Sequence, residues 1–200
     1  MQGRIYVFSG PSGVGKSTII RELRKRVKDL GYSVSHTSRR PRNMEADGVD
    51  YHFVDKGTFL RMVEEDAFVE WAEVYADLYG TSYSSLDNQT SRGLDVLLDV
   101  DSQGAKNIKG RFEDSTLIYV LPPSLKILEK RLRDRAADSD EIIKTRIAKA
   151  LDEIRDCEWY DYIIINEFLD QAVADAESII VSDRCRNYRT FPKVKDIFGI

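Results

Sequence analysis

The chain has 200 residues, 42% of them hydrophobic and 32% charged, with a formal net charge of −4. That length suits one domain with room for an inserted subdomain, able to hide roughly 70% of its unfolded surface. The composition excludes the disordered and membrane-embedded classes, and the acidic balance argues against broad binding to nucleic acid or to an anionic membrane.

Ile5-Tyr6-Val7-Phe8 opens the chain as a short continuous apolar run, expected to be a buried strand. It is too short for a signal-peptide core, and no later stretch approaches the roughly eighteen apolar residues of a bilayer span. The cysteines, Cys157 and Cys185, form no CxxC pair and match no zinc spacing. They read as free thiols in a reducing compartment, so the expectation is a soluble, cytoplasmic protein.

The run ends at a glycine-rich turn, Gly10 to Gly15. Ile19, Ile20, Leu23 and Val27 follow at helical spacing, and Gly31 is expected to close that helix as a C-terminal cap. Further strand-and-helix units begin at Val96-Leu97-Leu98, at Leu117 to Val120 and at Tyr162 to Ile165, the last followed by Ala172, Val173, Ala176 and Ile179. Apolar strands alternating with helices predict an α/β fold with a parallel sheet covered on both faces.

Two stretches break the rhythm. Residues 33–83 read as an inserted subdomain of short strands with one helix around Thr58 to Glu65. Residues 124–155 are densely charged and helical with weak core-facing content, and read as a mobile flap. The core is then 1–32, 84–123 and 156–190. Residues 187–200 show no clear pattern, and Phe191, Ile197 and Phe198 are expected to dock on the body or on a partner.

Gly10-Pro11-Ser12-Gly13-Val14-Gly15-Lys16-Ser17 fits G-x-x-x-x-G-K-[ST]. Glycines let the backbone curl until successive N–H groups face an anion. A helix starting at Lys16 points its positive end at the same place. Lys16 can reach β- and γ-phosphates, and the Ser17 hydroxyl can ligate Mg2+. By itself this motif says only nucleoside triphosphate.

Ser38-Arg39-Arg40-Pro41-Arg42 sets three arginines beside hydroxyls. In an acidic chain with a phosphate loop, this reads as a second phosphate site rather than a solvated basic loop. Tyr51 and Tyr79 can add phenol donors to that anion. Glu70 stands among apolar neighbours in Phe68-Val69-Glu70-Trp71. Asp99 and Asp101 stand at a strand end, where alternation would give them one face. One such acid can serve Mg2+ and another can accept N–H bonds from a base. A half-exposed strand acid is the other reading of Glu70. Guanine suits a carboxylate, because N1–H and N2–H2 are adjacent donors, whereas adenine has an acceptor at N1. Hydroxyls of Ser35 or Thr81 can meet the O6 acceptor.

Taken together, these residues resemble the guanylate kinase family over nearly the whole chain. The resemblance is carried by GPSGVGKST (Gly10–Thr18), SVSHTSRRPR (Ser33–Arg42), DGVDYHFV (Asp47–Val54), FVEWAEV (Phe68–Val74), YGTS (Tyr79–Ser82), LLDVDSQGA (Leu97–Ala105) and RLRDR (Arg131–Arg135), with Arg146. The phosphate loop is generic, but the arginine segment and FVEWA are specific. The resemblance implies a P-loop kinase core, a GMP-binding subdomain and a helical lid. It implies Mg2+-dependent phosphoryl transfer from ATP to GMP, and to dGMP, with no nucleic-acid or membrane partner. Gly10, Pro11, Ser12, Gly13, Val14, Gly15, Lys16, Ser17 and Thr18 would hold ATP, and Asn166 would border its adenine. Ser35, Glu70, Thr81 and Asp101 would contact guanine. Arg39, Arg42, Tyr51 and Tyr79 would grip the GMP phosphate. Lys16, Arg39, Arg131, Arg135 and Arg146 would neutralise the moving phosphoryl group, and Asp99 would meet Mg2+ through water.

The chain departs from that pattern at Ala136-Ala137, where members show a glycine and a hydroxyl residue, and at Asn43-Met44, which replaces a Pro-Gly turn. Two alanines favour helix, implying a stiffer lid hinge. Two rival readings stay open on the sequence. One is a kinase for another phosphorylated acceptor, such as a sugar phosphate. The other is a non-catalytic interaction module on the same fold, against which Lys16, Ser17 and Arg39 argue.

Overall fold

In the computed structural model, which describes residues 3–42, 45–74, 76–134 and 140–200, the N-terminal apolar run is strand β1 (Ile5–Ser9), buried along its length. The glycine loop follows, then α1 (Lys16–Arg26), β2 (Leu30–Tyr32), β3 (His36–Thr37), β4 (His52–Phe53), α2 (Lys56–Glu64), β5 (Phe68–Val74) and β6 (Asp77–Ser82). The chain continues as α3 (Tyr83–Thr90), β7 (Asp95–Asp99), α4 (Ser102–Arg111), β8 (Thr116–Leu121), α5 (Leu125–Asp134) and α6 (Asp140–Ile154). After a 3-10 turn at Arg155–Trp159 come β9 (Tyr162–Ile165), α7 (Leu169–Arg184) and α8 (Asn187–Phe198).

Among the described residues the strands form two sheets. The larger runs β2-β7-β1-β8-β9 with every pair parallel. Tyr6, Phe8, Leu97, Ile118, Val120 and Ile164 point into one core with α1 and α7. Ile5, Val7, Val96, Leu98, Leu117 and Tyr119 point into the opposite core with α3 and α4. A strand buried on both faces has no polar side to show, which is why these runs are unbroken. The smaller sheet, β4-β3-β6-β5, closes over Phe59, Phe68 and Leu78, with the two phenyl rings stacked at 4.5 Å.

Several sequence expectations fail at this level. Helix α1 stops at Arg26 with Val27 as its cap, and Gly31 lies in β2 instead. A side chain there would collide with Gln89: a Cβ would come 1.8 Å from its Oε1, while its Nε2 donates to Tyr32 C=O at 2.7 Å. Residues of the charged segment do reach the core, since Leu128 and Leu132 of α5 and Ile143 and Ala150 of α6 are buried beside α1. The patternless C-terminal stretch is helix α8, with Pro192 inside it. Phe191, Ile197 and Phe198 stay 41%, 73% and 70% exposed rather than docking on the body.

Polar groups hold α8 instead. Arg189 Nη2 donates to Asp95 and Nη1 to Asp183, each at 2.8 Å, and both carboxylates are buried. Arg184 Nε adds a 2.7 Å bond to Asp95, and the Tyr6 hydroxyl a 2.8 Å bond to Asp183. Cys157 and Cys185 are free thiols. Among the described residues no helix is long and apolar enough to cross a membrane. Asn43-Met44 and Ala136-Ala137 lie outside the described residues.

Candidate active site

The phosphate loop leaves the C-terminal end of β1, beside the ends of β7 and β8, where open parallel sheets bind ligands. Gly10, Gly13 and Gly15 take φ values of 133°, 92° and 100°, which side chains rarely adopt. A Cβ on Gly10 would also lie 2.2 Å from Val120 O. Gly15 is the N-cap of α1 and offers no side-chain cap, so the first N–H groups of the helix are left for an anion. Pro11 and Val14 are buried under the loop, while Ser12 and Ser17 are exposed and Thr18 is half-buried.

Lys16 Nζ spans the loop, donating to Gly10 O at 2.7 Å and lying 3.7 Å from Asp99 Oδ1. Ser17 Oγ donates to Asp99 Oδ2 at 3.0 Å. A hydroxyl and a carboxylate are hard oxygen donors, the set a Mg2+ ion takes when substrate phosphates and water supply the rest. Asp101 does not share a face with Asp99. Strand β7 ends at Asp99, and Asp101 is the N-cap of α4, accepting from Gly104 N at 2.8 Å.

The antiparallel register of β5 on β6 sets Glu70 opposite Thr81. Glu70 is 6% exposed, so it is not a half-exposed strand acid. Thr81 Oγ1 donates to Glu70 Oε1 at 2.7 Å, and Ser35 Oγ lies 3.4 Å from Thr81 Oγ1. Oε2 faces the first turn of α4, where a Cβ on Gly104 would come within 2.8 Å of it. Burial pushes the Glu70 carboxyl up to about 7; the Thr81 bond opposes this and the Asp101 charge adds to it. Ser35, Glu70, Thr81 and Asp101 thus form one cluster.

Arg39, Tyr51 and Tyr79 form another. The Arg39 guanidinium lies 5.5 Å from the Tyr51 ring centroid and 5.8 Å from that of Phe53, and the Tyr51 and Tyr79 rings are 5.9 Å apart. Arg39 Nη1 and Nη2 donate to Glu45 Oε2 and Oε1 at 3.0 and 2.9 Å. Burial works against the Arg39 charge, but the hydrogen bonds to Glu45 and Tyr79 hold its pKa above the usual value. Burial pushes the Tyr51 phenol up, with Asp99 and Tyr79 adding to the shift. Arg42 joins through its backbone, whose N–H donates to Glu45 Oε2 at 2.7 Å, while its side chain is exposed.

Of the arginines assigned to the moving phosphoryl group, Arg131 braces the loop. Its Nη1 donates to Val14 O at 3.3 Å and its Nη2 to Asn166 O at 2.8 Å. Asn166 is buried, with Nδ2 donating to the same Val14 O at 2.7 Å. Arg146 lies half-buried on α6, and Arg135 lies outside the described residues. Sequence reasoning missed Glu45 and Glu153. Glu45 had a signal, an acid three residues after the arginine run. Glu153 had none: it is set by the phase of α6, where burial raises its carboxyl against the ion pair with Lys149, with Lys16 lowering it and Asp101 raising it more weakly.

A parallel sheet whose first strand feeds a glycine loop and an uncapped helix, with a lysine across the loop, defines the class of P-loop kinases. The family model for guanylate kinase matches residues 2–183. A curated relative named guanylate kinase from Geobacter sulfurreducens is 44% identical over 199 residues, covering 100% of this chain and 98% of the relative. One from Myxococcus xanthus is 45% identical over 188 residues, covering 94% and 90%. The crystal structure of guanylate kinase from Anaplasma phagocytophilum superposes with a TM-score of 0.81 at 30% identity, covering 98% and 94%. The chain belongs to the guanylate kinase family. The SH3-kinase fragment of tight junction protein 3 shares the fold alone, at 10% identity, a TM-score of 0.54, and coverage of 92% and 59%.

Proposed function

We propose that this protein transfers the γ-phosphoryl group of ATP to GMP, and to dGMP, giving ADP and GDP by direct in-line displacement. It would do so in the purine nucleotide metabolism of the cytoplasm. The observation that carries this reading is Glu70, a buried carboxylate with one oxygen held by Thr81 and the other facing the start of α4. Its oxygens suit the adjacent N1–H and N2–H2 donors of guanine. Thr81 donates its proton to Glu70, so Ser35 is the donor in the 3.4 Å Ser35–Thr81 contact and would turn from Thr81 to meet O6. Adenine would leave this buried acid unpaired, and that asymmetry gives strong discrimination.

Residues 33–83 act as the acceptor subdomain and 124–155 as the lid. Arg39, Tyr51 and Tyr79 take the acceptor's phosphate, with Arg42 beside them. The bare N-terminus of α1 and Lys16 take the donor's phosphates. Ser17 and Asp99, already hydrogen-bonded to each other, are the residues that would hold Mg2+. When bound, the ion would supply positive charge to neutralise the phosphates. The acceptor oxygen is already ionised, so no strong general base is needed. The chain's own work is to align the two nucleotides, to place lysine and arginine charge around the transferring group, and to exclude water.

The test is Glu70→Gln. An amide accepts only one of the two guanine donors and turns its own NH2 toward the other. The kcat/KM for GMP should fall by roughly 100-fold, with little change in the KM for ATP. GMP turnover equal to wild type would contradict the assignment.

A further inference from the structure

Arg39 does not meet the acceptor site as a free cation. Its two terminal nitrogens are forked onto the two oxygens of Glu45 at 3.0 and 2.9 Å, and Nη1 also donates to Arg40 O at 2.8 Å. Glu45 is itself pinned: its Oε2 accepts Arg42 N–H at 2.7 Å, and its own N–H donates to Arg42 O at 3.1 Å. Burial works against ionisation of Glu45, yet the Arg39 bond and the Arg42 N–H hold its carboxyl below the usual range. A guanidinium has five N–H donors on two forked edges. The terminal edge is fully used here, and Arg39 Nε meets no hydrogen-bond partner among the described residues. Nε is buried, so what remains for an incoming phosphate is the second Nη2 hydrogen, with Tyr79 hydrogen-bonded to the same guanidinium.

We propose that Glu45 is the positioning residue of the acceptor-phosphate site, fixing Arg39 by its terminal nitrogens so that the remaining Nη2 hydrogen meets the phosphate. This rests on the reading of Arg39 as a grip on the GMP phosphate. The opposite role would be a stand-in anion that the phosphate must displace. The pinning of Glu45 on both its carboxylate and its backbone argues for a fixed clamp. A stand-in would be held by Arg39 alone.

The two roles predict opposite signs. The experiment measures GMP and guanosine affinities by calorimetry for wild type, Glu45→Gln and Glu45→Asp, with thermal melts to show that each variant folds. Guanosine lacks the phosphate, so the ratio of the two affinities isolates the phosphate grip from base recognition. In both variants this ratio is expected to fall roughly tenfold or more, the loss of about one charge-assisted hydrogen bond, while guanosine affinity stays within about twofold of wild type. A ratio that rises means the carboxylate competes with phosphate, and overturns the proposal. A ratio that stays constant while both affinities fall means that Glu45 only shapes its loop, and also overturns it. Wild type that binds GMP no more tightly than guanosine would remove the phosphate site itself, a failure of the proposed function that precedes any reading of the variants.

Discussion

At the scale of single residues, Glu70 carries a conflict that can be measured. Selecting guanine requires an ionised carboxylate in a buried place, and burial penalises that charge. The group titrates near 4.5 in an open chain and near 7 in the fold. Between those values the folded chain holds a proton that the unfolded chain has released. Stability is therefore fully present below about pH 4.5 and falls as pH rises through 7, by on the order of 3 kcal/mol. Glu70→Gln has no such charge. Its melting temperature should exceed that of wild type most at pH 8 and by least near pH 4.5, read in thermal melts across that range without nucleotide. A difference that does not change with pH would mean Glu70 is ionised at no cost. The phosphate-loop residues were legible because the backbone itself demands them: positive φ at Gly10, Gly13 and Gly15 leaves few alternatives. Glu45 was missed although an acid three residues after the arginine run marked it, because a pairing of two side chains across a loop leaves no period in the sequence.

At the scale of elements, the strands were readable and the C-terminal helix was not, for one physical reason. Runs such as Leu117 to Val120 are apolar on both faces because both faces are covered. Helix α8 is held by ion pairs, and Phe191, Ile197 and Phe198 remain exposed, so it shows no buried stripe, and Pro192 within it reads as a breaker. Gly31 was misread because a glycine that ends a helix looks like one that lets Gln89 approach a strand. If Arg189 is what anchors α8, then Arg189→Ala strands two buried carboxylates, Asp95 and Asp183, with one partner fewer each. The arginine is 17% exposed, which tempers the loss. The expected destabilisation is about 2 kcal/mol in urea unfolding. A change below about 0.5 kcal/mol, the range of an ordinary surface substitution, would show that α8 is held otherwise.

At the scale of the whole molecule, two sheets divide the chemistry. The parallel sheet offers the glycine loop, Lys16, Ser17 and Asp99 at its strand ends; the smaller sheet offers Glu70, Thr81, Tyr79 and the Arg39 cluster. The two meet where Glu70 lies against the first turn of α4, whose N-cap is Asp101. Each half was visible in the sequence as a motif, but their meeting was not, since Asp99 and Asp101 looked like neighbours on one strand face. The structure separates them, one toward the glycine loop and one toward the Glu70 cluster, and under the proposed function that separation gives the molecule a donor side and an acceptor side.

The most direct measurement is ADP release from ATP with Mg2+ in the presence, separately, of GMP, AMP, CMP, UMP and no acceptor. The arrangement of Glu70, Thr81 and Ser35 predicts turnover that depends on GMP, with AMP lower by roughly 100-fold or more. Equal turnover with AMP, or ADP release that ignores the acceptor, would contradict the account of how this site selects its substrate.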